Sequence, residues 1–260
     1  MSDNSNQFIF LGTGTSQGVP VIGCEDPVCF SSNPKDMRLR SSAMVIYNDI
    51  HILIDCGPDF RQQMLRENLN RVDAILITHE HNDHIIGLDD VRPLNFRMKK
   101  DMPLYSMPRV LKEIKARFPY VFADEKYPGA PAIQPISITE NIFEIKGIQI
   151  TALPVMHGGL PIFGYRIGNM AYLTDINYIP DETMRLLKNL DILVIDALRK
   201  KKKHHSHLIL EESIEYAKKI NAKNTYFTHI NHEMGFYDEV KKELPPNMHL
   251  GYDGLRANFT

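Results

Sequence analysis

The apolar run Ala74-Ile75-Leu76-Ile77 ends directly on Thr78-His79-Glu80-His81-Asn82-Asp83-His84, and no other stretch restricts the fold and chemistry of this chain as strongly. Three imidazoles and two carboxylates fall within six residues. Core packing or solvation seldom gathers histidines so densely, whereas metal sites do so routinely. The spacing suits two ions. If the segment leaves a strand as an irregular loop, His79 and His81 face one ion. After the chain turns, Asp83 and His84 face a neighbouring one. Imidazole and carboxylate serve zinc, manganese or iron alike, so the donors do not select the element.

The remaining ligands must come from elsewhere in the chain. Polar residues recur where β-rich apolar runs end: His157 follows Ile150 to Met156, Asp175 follows Ala171 to Thr174, and His229 follows Thr225 to Thr228. If these ends and that of His79 share one rim of a sheet sandwich, four positions converge on a single cleft held by rigid elements. Hairpins are predicted around Asn48-Asp49, Lys146-Gly147 and Gly168-Asn169, each between runs of strand-forming residues. Apolar positions three and four apart predict helices over Asp59 to Glu67, Pro108 to Phe118, Asp181 to Leu187, Glu211 to Ile220 and Tyr237 to Leu244. Such helices would cover the outer faces of two sheets. Asn95 to Pro103 and Phe122 to Pro135 read as loops.

With 260 residues, 43% of them hydrophobic, and a formal charge of -2, the chain suits one domain, residues 1–260, with a sizeable core. Neither a secretory signal nor a spanning helix is read at Met1 to Gln7 or in the short apolar run after it, so no membrane partner is expected. Three cysteines cannot all pair within one chain, which favours a reducing cytoplasm. Near-neutral charge does not call for nucleic acid. The basic run Arg199 to Lys203 reads first as a solvated loop, and it keeps a nucleic-acid role open.

With these residues in place, the chain resembles the metallo-β-lactamase superfamily, nearly end to end. The resemblance implies an α/β fold, a four-layer αββα sandwich with a dinuclear site at one edge. It further implies that His79, His81 and His157 hold one divalent ion, that Asp83, His84 and His229 hold the second, and that Asp175 bridges the two. The opening Leu11-Gly12-Thr13-Gly14-Thr15-Ser16-Gln17-Gly18-Val19-Pro20, with Cys24 and Cys29 after it, is similar to the phosphoribosyl 1,2-cyclic phosphate phosphodiesterases. So are His205-Ser206-His207-Leu208, Thr228-His229-Ile230-Asn231-His232 and Gly251-Tyr252-Asp253-Gly254. That likeness makes His205 the catalytic histidine, with His207 and His204 as competitors. It also implies a remote structural zinc site at Cys24, Asp26, Cys29 and His232, where Asp26 departs from the cysteine that the subfamily carries. A homodimer is implied too. Cys56 reads as a small core residue.

The expected activity follows. Two zinc or manganese ions contribute +4, while Asp83, Asp175 and a bridging hydroxide subtract three, leaving about +1 to attract an anion. The hydroxide would attack a small cyclic phosphate in line, with His205 protonating the leaving alkoxide. Asp55 reads either as an orienting partner of a metal-bound imidazole or as a turn former before Cys56-Gly57. Gly12, Gly14 and Gly18 either admit a phosphate or make a tight loop, and they form no nucleotide-binding pattern. The alternatives are a nuclease similar to the tRNA 3′-processing enzymes, then a thioester hydrolase similar to glyoxalase II, then a non-catalytic sensor. Only Ile176 to His204 separate Asp175 from His205, which leaves little room for the nuclease arm, and Ile230 to Thr260 is short for a glutathione-binding domain.

Overall fold

The computed structural model describes residues 6–125 and 127–260. Among them, β1 (Asn6–Gly12), β2 (Ser42–Tyr47), β3 (Ile50–Ile54), β4 (Ala74–Leu76), β5 (Met102–Ser106) and β6 (Ile133–Ser137) build one sheet. The other contains β7 (Ile142–Ile145), β8 (Ile148–His157), β9 (Leu160–Ile167), β10 (Met170–Leu173), β11 (Ile192–Asp196), β12 (Asn224–Thr228) and β13 (Met248–Leu250). β14 (Arg256–Phe259) returns to the first sheet, so the orders are β14-β1-β2-β3-β4-β5-β6 and β13-β12-β11-β10-β9-β8-β7.

Both sheets are mixed, and their pairing decides where polar residues emerge. β1 and β3 flank β2 antiparallel, and β3, β4, β5 and β6 run parallel. β8, β9 and β10 alternate in direction, and β10 to β13 run parallel. The C-terminal ends of β1, β3 and β4 therefore lie together on their sheet, as do those of β8, β10, β11 and β12 on theirs.

Burial on both faces explains the near-continuous apolar strands. Phe8, Phe10, Val45, Ile52 and Leu76 point between the sheets and meet Ile150, Tyr165, Tyr172 and Val194 from the other side. The alternate residues Ile9, Leu11, Met44, Leu53 and Ile75 face outward beneath α1 (Phe60–Arg66), α3 (Arg92–Met98) and α4 (Pro108–Arg117), α2 being the short turn Asn82–Ile85. On the outer face of the second sheet, Ala171, Leu173, Leu193, Ile195 and Phe227 pack beneath α5 (Asp181–Leu186), α6 (Leu210–Ile220) and α7 (Tyr237–Val240). The layers thus run helix, sheet, sheet, helix, the four-layer αββα order. No described helix is long and apolar enough to cross a membrane.

The three expected hairpins form, two of them with paired left-handed residues, Asn48 with Asp49 and Lys146 with Gly147. Three spans differ from expectation. The helix begun at Tyr237 stops at Val240, and the following turns lead into Pro245-Pro246, which cannot continue a helix. Asn95 to Pro103 is largely ordered as the end of α3 and the start of β5, with Pro93 tolerated in the first helical turn. Phe122 to Pro135 ends in β6, an edge strand, where a proline costs little pairing.

Asp73 ties the sheets away from those C-terminal ends. Its carboxylate, 1% exposed, accepts from the His51 amide and from Arg71 of the first sheet's connections and from Lys146 in the β7-β8 turn. Burial pushes the carboxyl up, but Lys146, the His51 amide and Arg71 outweigh it and hold it at about 2. Since the folded value lies below the unfolded one, this stabilisation is present above about pH 4 and lost as pH falls through about 2. Asp73→Asn is expected to cost about 2 kcal/mol at pH 7. In urea unfolding across pH, the gap between the two proteins should close below about pH 2, and a gap that stays constant would refute the linkage.

Candidate metal centre and active site

Asp55, Asp175 and His229 each follow a strand end and each adopt a left-handed backbone, with φ of 62°, 57° and 58°. Non-glycine residues there cost on the order of 1–3 kcal/mol, and such strain gathers at functional sites. Here it re-aims three side chains into one space. Gly57 makes the fit possible: a Cβ on it would lie 2.0 Å from the Asp83 carbonyl oxygen, so only glycine lets the Asp55-Cys56-Gly57 turn press against the histidine-rich loop. The Cys56 amide donates to the His84 carbonyl (2.7 Å), and its side chain packs in the core as a small residue should.

Two donor clusters result. His79, His81 and His157 bring ligand atoms within 4.8 Å of one another, and so do Asp83, His84, Asp175 and His229. All seven residues singled out in the sequence are therefore gathered. In the second cluster His84 Nε2 lies 3.2 Å from Asp83 Oδ2 and 3.2 Å from Asp175 Oδ2, and His229 Nε2 lies 3.1 Å from Asp175 Oδ1. Yet neither Nε2 makes a hydrogen bond, although both are buried. Buried polar atoms are normally paired. Nitrogens and carboxylate oxygens that crowd together without bonding one another are aimed at a shared point, and this imidazole and carboxylate donor set fits divalent cations.

The surroundings fix the rings. Asp55, fully buried, accepts from the Thr78 amide (2.8 Å) and hydroxyl, and it pairs with His84 Nδ1 at 2.7 Å, the contact that its orienting reading requires. Thr78 Oγ1 contacts His79 Nδ1 (2.9 Å), and the Ser206 carbonyl contacts His157 Nδ1 (3.0 Å). Arg109 on α4 ties Glu80, between two ligands, to the Pro161 carbonyl beyond His157. Burial pushes the His79 imidazole far down and His229 to about 3, keeping both neutral as ligands must be. His84 is the exception: burial opposes its charge, but Asp175, Asp83 and Asp55 raise it well above the usual histidine value. The cluster's own field favours positive charge at its centre.

Beside the clusters stands His207 rather than His205. The His207 ring lies 4.7 Å from His157 and 4.7 Å from His229, stacked on the latter, and its Nδ1 meets Asp196 Oδ2 at 3.0 Å. His205 is exposed, with its ring against His204 at 4.4 Å, and only its carbonyl is held, by Asn177. His204 contacts the His207 ring at 5.0 Å. The ring that faces the two clusters is thus that of His207, two residues on from the expected His205. Asp196 went unrecognised in the sequence. It closes the run Ile192-Leu-Val-Ile, the same strand-end signal that marked the other positions.

The remote group is only partly assembled. Cys24, Cys29 and His232 bring their ligand atoms within 4.8 Å, but Asp26 is outside that set. Its carboxylate instead accepts from the Val28 amide (2.9 Å) and caps the following turn. Gly12 proves to be a packing glycine: a Cβ there would lie 1.9 Å from the Arg40 carbonyl oxygen.

Residues 51–230 match the beta-lactamase superfamily domain. A diphosphatase from the PhnP family, known from its crystal structure, is 44% identical and superposes with a TM-score of 0.91 over 98% of this chain and 97% of that one. Zn(2+)-bound PqqB from Methylobacterium extorquens superposes at 0.80 with 20% identity, over 97% of this chain and 100% of that one, a likeness of fold. An octanoyltransferase from Porphyromonas gingivalis is 41% identical over 251 residues. Those residues are 96% of this chain and 51% of that protein, so the chain spans about half the length of this curated relative.

Partners of metal-bound histidines typically alter affinity about 10–100-fold when removed. Asp55→Asn, which retains an acceptor for Thr78 but removes the charge beside His84, is expected to weaken divalent-metal affinity about tenfold in chelator competition. Unchanged affinity in a variant with wild-type circular dichroism would leave Asp55 as a turn former only.

Proposed function

The chain belongs to the beta-lactamase superfamily, and from that premise we propose that it is a metal-dependent phosphodiesterase acting on a small phosphorylated substrate of the phosphoribosyl 1,2-cyclic phosphate kind. His79, His81 and His157 would hold one zinc or manganese ion and Asp83, His84 and His229 a second, with Asp175 shared between them. Bound there, divalent ions supply the Lewis acidity and the acidified water that phosphoester hydrolysis uses. Cys24, Cys29 and His232 would hold a further structural zinc, with Asp26 joining only by releasing the Val28 amide. The free cysteines Cys24, Cys29 and Cys56 support a cytoplasmic setting.

The observation that carries the reading is His207. Its Nδ1 is committed to Asp196 at 3.0 Å, which leaves Nε2 as the atom that exchanges a proton. Asp196 is itself fixed by the Ile176 amide (2.8 Å), next to Asp175, so acid and ligands share one backbone anchor. Burial lowers the His207 imidazole, but the Asp196 carboxylate more than restores it, so the ring is raised above an ordinary histidine. An imidazole oriented by a carboxylate beside two cation-binding clusters suits a reaction that expels an alkoxide from a phosphoryl centre. A metal-binding sensor would need no such group.

A second reading has its own support. The 44% identical structure is that of a diphosphatase, and a diphosphate linkage is also a P–O bond between two small groups. The same residues would protonate a leaving phosphate. A nuclease is disfavoured because residues between Asp175 and His207 are taken up by α5, β11 and the closed loop after it, with no protruding arm among the described residues.

His207→Ala is expected to slow turnover of an alkyl phosphodiester about a hundredfold or more, while sparing bis-nitrophenyl phosphate, whose leaving group departs unprotonated. His205→Ala should change neither. Equal losses on both esters would remove His207 from the acid role. Turnover of 5-phosphoribosyl 1,2-cyclic phosphate, beside a small diphosphate and a short RNA, tests the substrate: preference for the cyclic sugar supports the first reading and preference for the diphosphate the second. Selective RNA cleavage would overturn both.

A further inference from the structure

Between α1 and α3, over the outer face of the first sheet, lies a cavity that the metal centre does not use. Each helix is only seven residues long, and each turns one stripe toward it: Phe60, Met64 and Leu65 on α1, and Pro93, Leu94 and Arg97 on α3. Residues three and four apart share a helix face, so these spacings build two facing walls. With Leu69 after α1 they enclose a slot of about 300 Å³, at the small end of the range that holds ligands. Phe60, Met64 and Leu94 belong to the core and floor the slot, whereas Leu65 on its lip is 64% exposed. The slot is closed toward the metal loops. A Cβ on Gly87 would lie 1.9 Å from the Gly57 carbonyl oxygen, so backbone meets backbone there, and the apolar walls follow further along both segments.

At its other end the slot runs into a basic pocket. Asn70 and Arg97 line both the slot and a second cavity of about 450 Å³, whose walls include Arg71, Lys100 and Lys146. Those three cations share the buried Asp73, at 2.8 Å from Arg71 and 3.4 Å from Lys100, and the exposed Asp49 meets Arg71 from outside at 3.0 Å. Arg97, exposed at the junction of the two cavities, has no carboxylate partner among the described residues. Four cations against two carboxylates leave this end at about +2. Asp101, next to Lys100 in the chain, lines neither cavity. At the closed end Arg61 and Asp90 offset each other, which confines the surplus charge to one end of the slot. A simple packing defect would be shut off by the core, and a merely solvated basic surface would not continue into an apolar slot.

We infer that the joined cavities bind a single-chain amphiphile with an anionic head, a medium-chain carboxylate free in solution, with its chain between α1 and α3 and its head on Arg97. A guanidinium meets a carboxylate through two parallel N–H bonds, and each methylene removed from water between the helices adds to affinity. A small polar phosphoester has no chain to fill the slot, so this ligand is distinct from the substrate of the metal centre.

Calorimetric titration of hexanoate, octanoate and decanoate into the manganese-loaded protein, each below its micelle concentration, tests the site. Affinity is expected to rise about fourfold per added methylene until the slot is full. Octanol, which lacks the charge, should bind about tenfold more weakly than octanoate. R97A should erase that preference and L65D, at an exposed position, should abolish decanoate binding, while both variants keep wild-type turnover of bis-nitrophenyl phosphate. Absence of binding, or affinity that does not grow with chain length, would overturn the site. An octanoate affinity that R97A leaves unchanged would place the carboxylate elsewhere, on the bound metal included, and overturn it too. Conversion of a dimer to a monomer by L65D, with no alkanoate bound by wild type, would assign the slot to a second copy of this chain instead.

Discussion

Asp175 lies 3% exposed between two buried imidazoles, with its oxygens 3.2 Å from His84 Nε2 and 3.1 Å from His229 Nε2. A carboxylate desolvated this far is stable only with positive charge beside it. The surrounding imidazoles hold it far below the usual carboxylate range despite its burial. Every other feature of the rim answers to that demand. The strand ends must deliver histidines from both sheets, since His84 belongs to the loop after β4 and His229 follows β12. The backbone must also turn left-handed at Asp175 and His229 to close the gap. The core between the sheets sets how far apart those ends sit, so packing of Phe8, Phe10, Tyr165 and Tyr172 fixes the spacing of a polar centre to whose ligands none of them is hydrogen-bonded.

Behind the ligands, each sheet contributes one further buried aspartate. Asp55 follows β3 and holds His84; Asp196 ends β11 and holds His207. Burial pushes both carboxyls up, Asp196 to about 7 even with the opposing pull of His207. The two imidazoles they orient differ in what they face. His84 faces Asp83 and Asp175 and serves the ligand cluster, while His207 stacks on His229 from outside it. One arrangement, a buried aspartate behind an imidazole, thus recurs in both sheets, inside a donor cluster in one and beside it in the other.

Much of this was legible from residue order because the strands announce themselves by apolar runs and the ligands by what ends those runs. His157, Asp175 and His229 are individually ordinary, and only their shared position after a strand marked them. The same rule marks Asp196, which was overlooked because an aspartate amid apolar residues is also the ordinary end of a strand. The choice between His205 and His207 was not readable, since the two flank a common serine and differ only in which way an irregular loop points them. Asp26 shows a further limit. The resemblance placed it with two cysteines and a histidine, but an amide two residues on, at Val28, holds its carboxylate instead. The edge strand β6 and the helix over Arg92–Met98 were hidden by prolines that read as loop markers until the sheet edge and the first helical turn were known.

Burial within the site also fixes the direction of approach. His79 and His84 are 0% exposed and His229 1%, so they form a floor that solvent does not reach. His81 is exposed and Asp83 half-buried, which opens the clusters on the side of the Glu80 loop, where Arg109 braces the backbone. The exposed His205 and the crest of the 199–203 loop stand on the side of His207. A reacting group must therefore descend between these two walls while the rest of its molecule remains near the rim. Changes in the exposed loop can then be accommodated without disturbing the buried carboxylate that His84 and His229 flank.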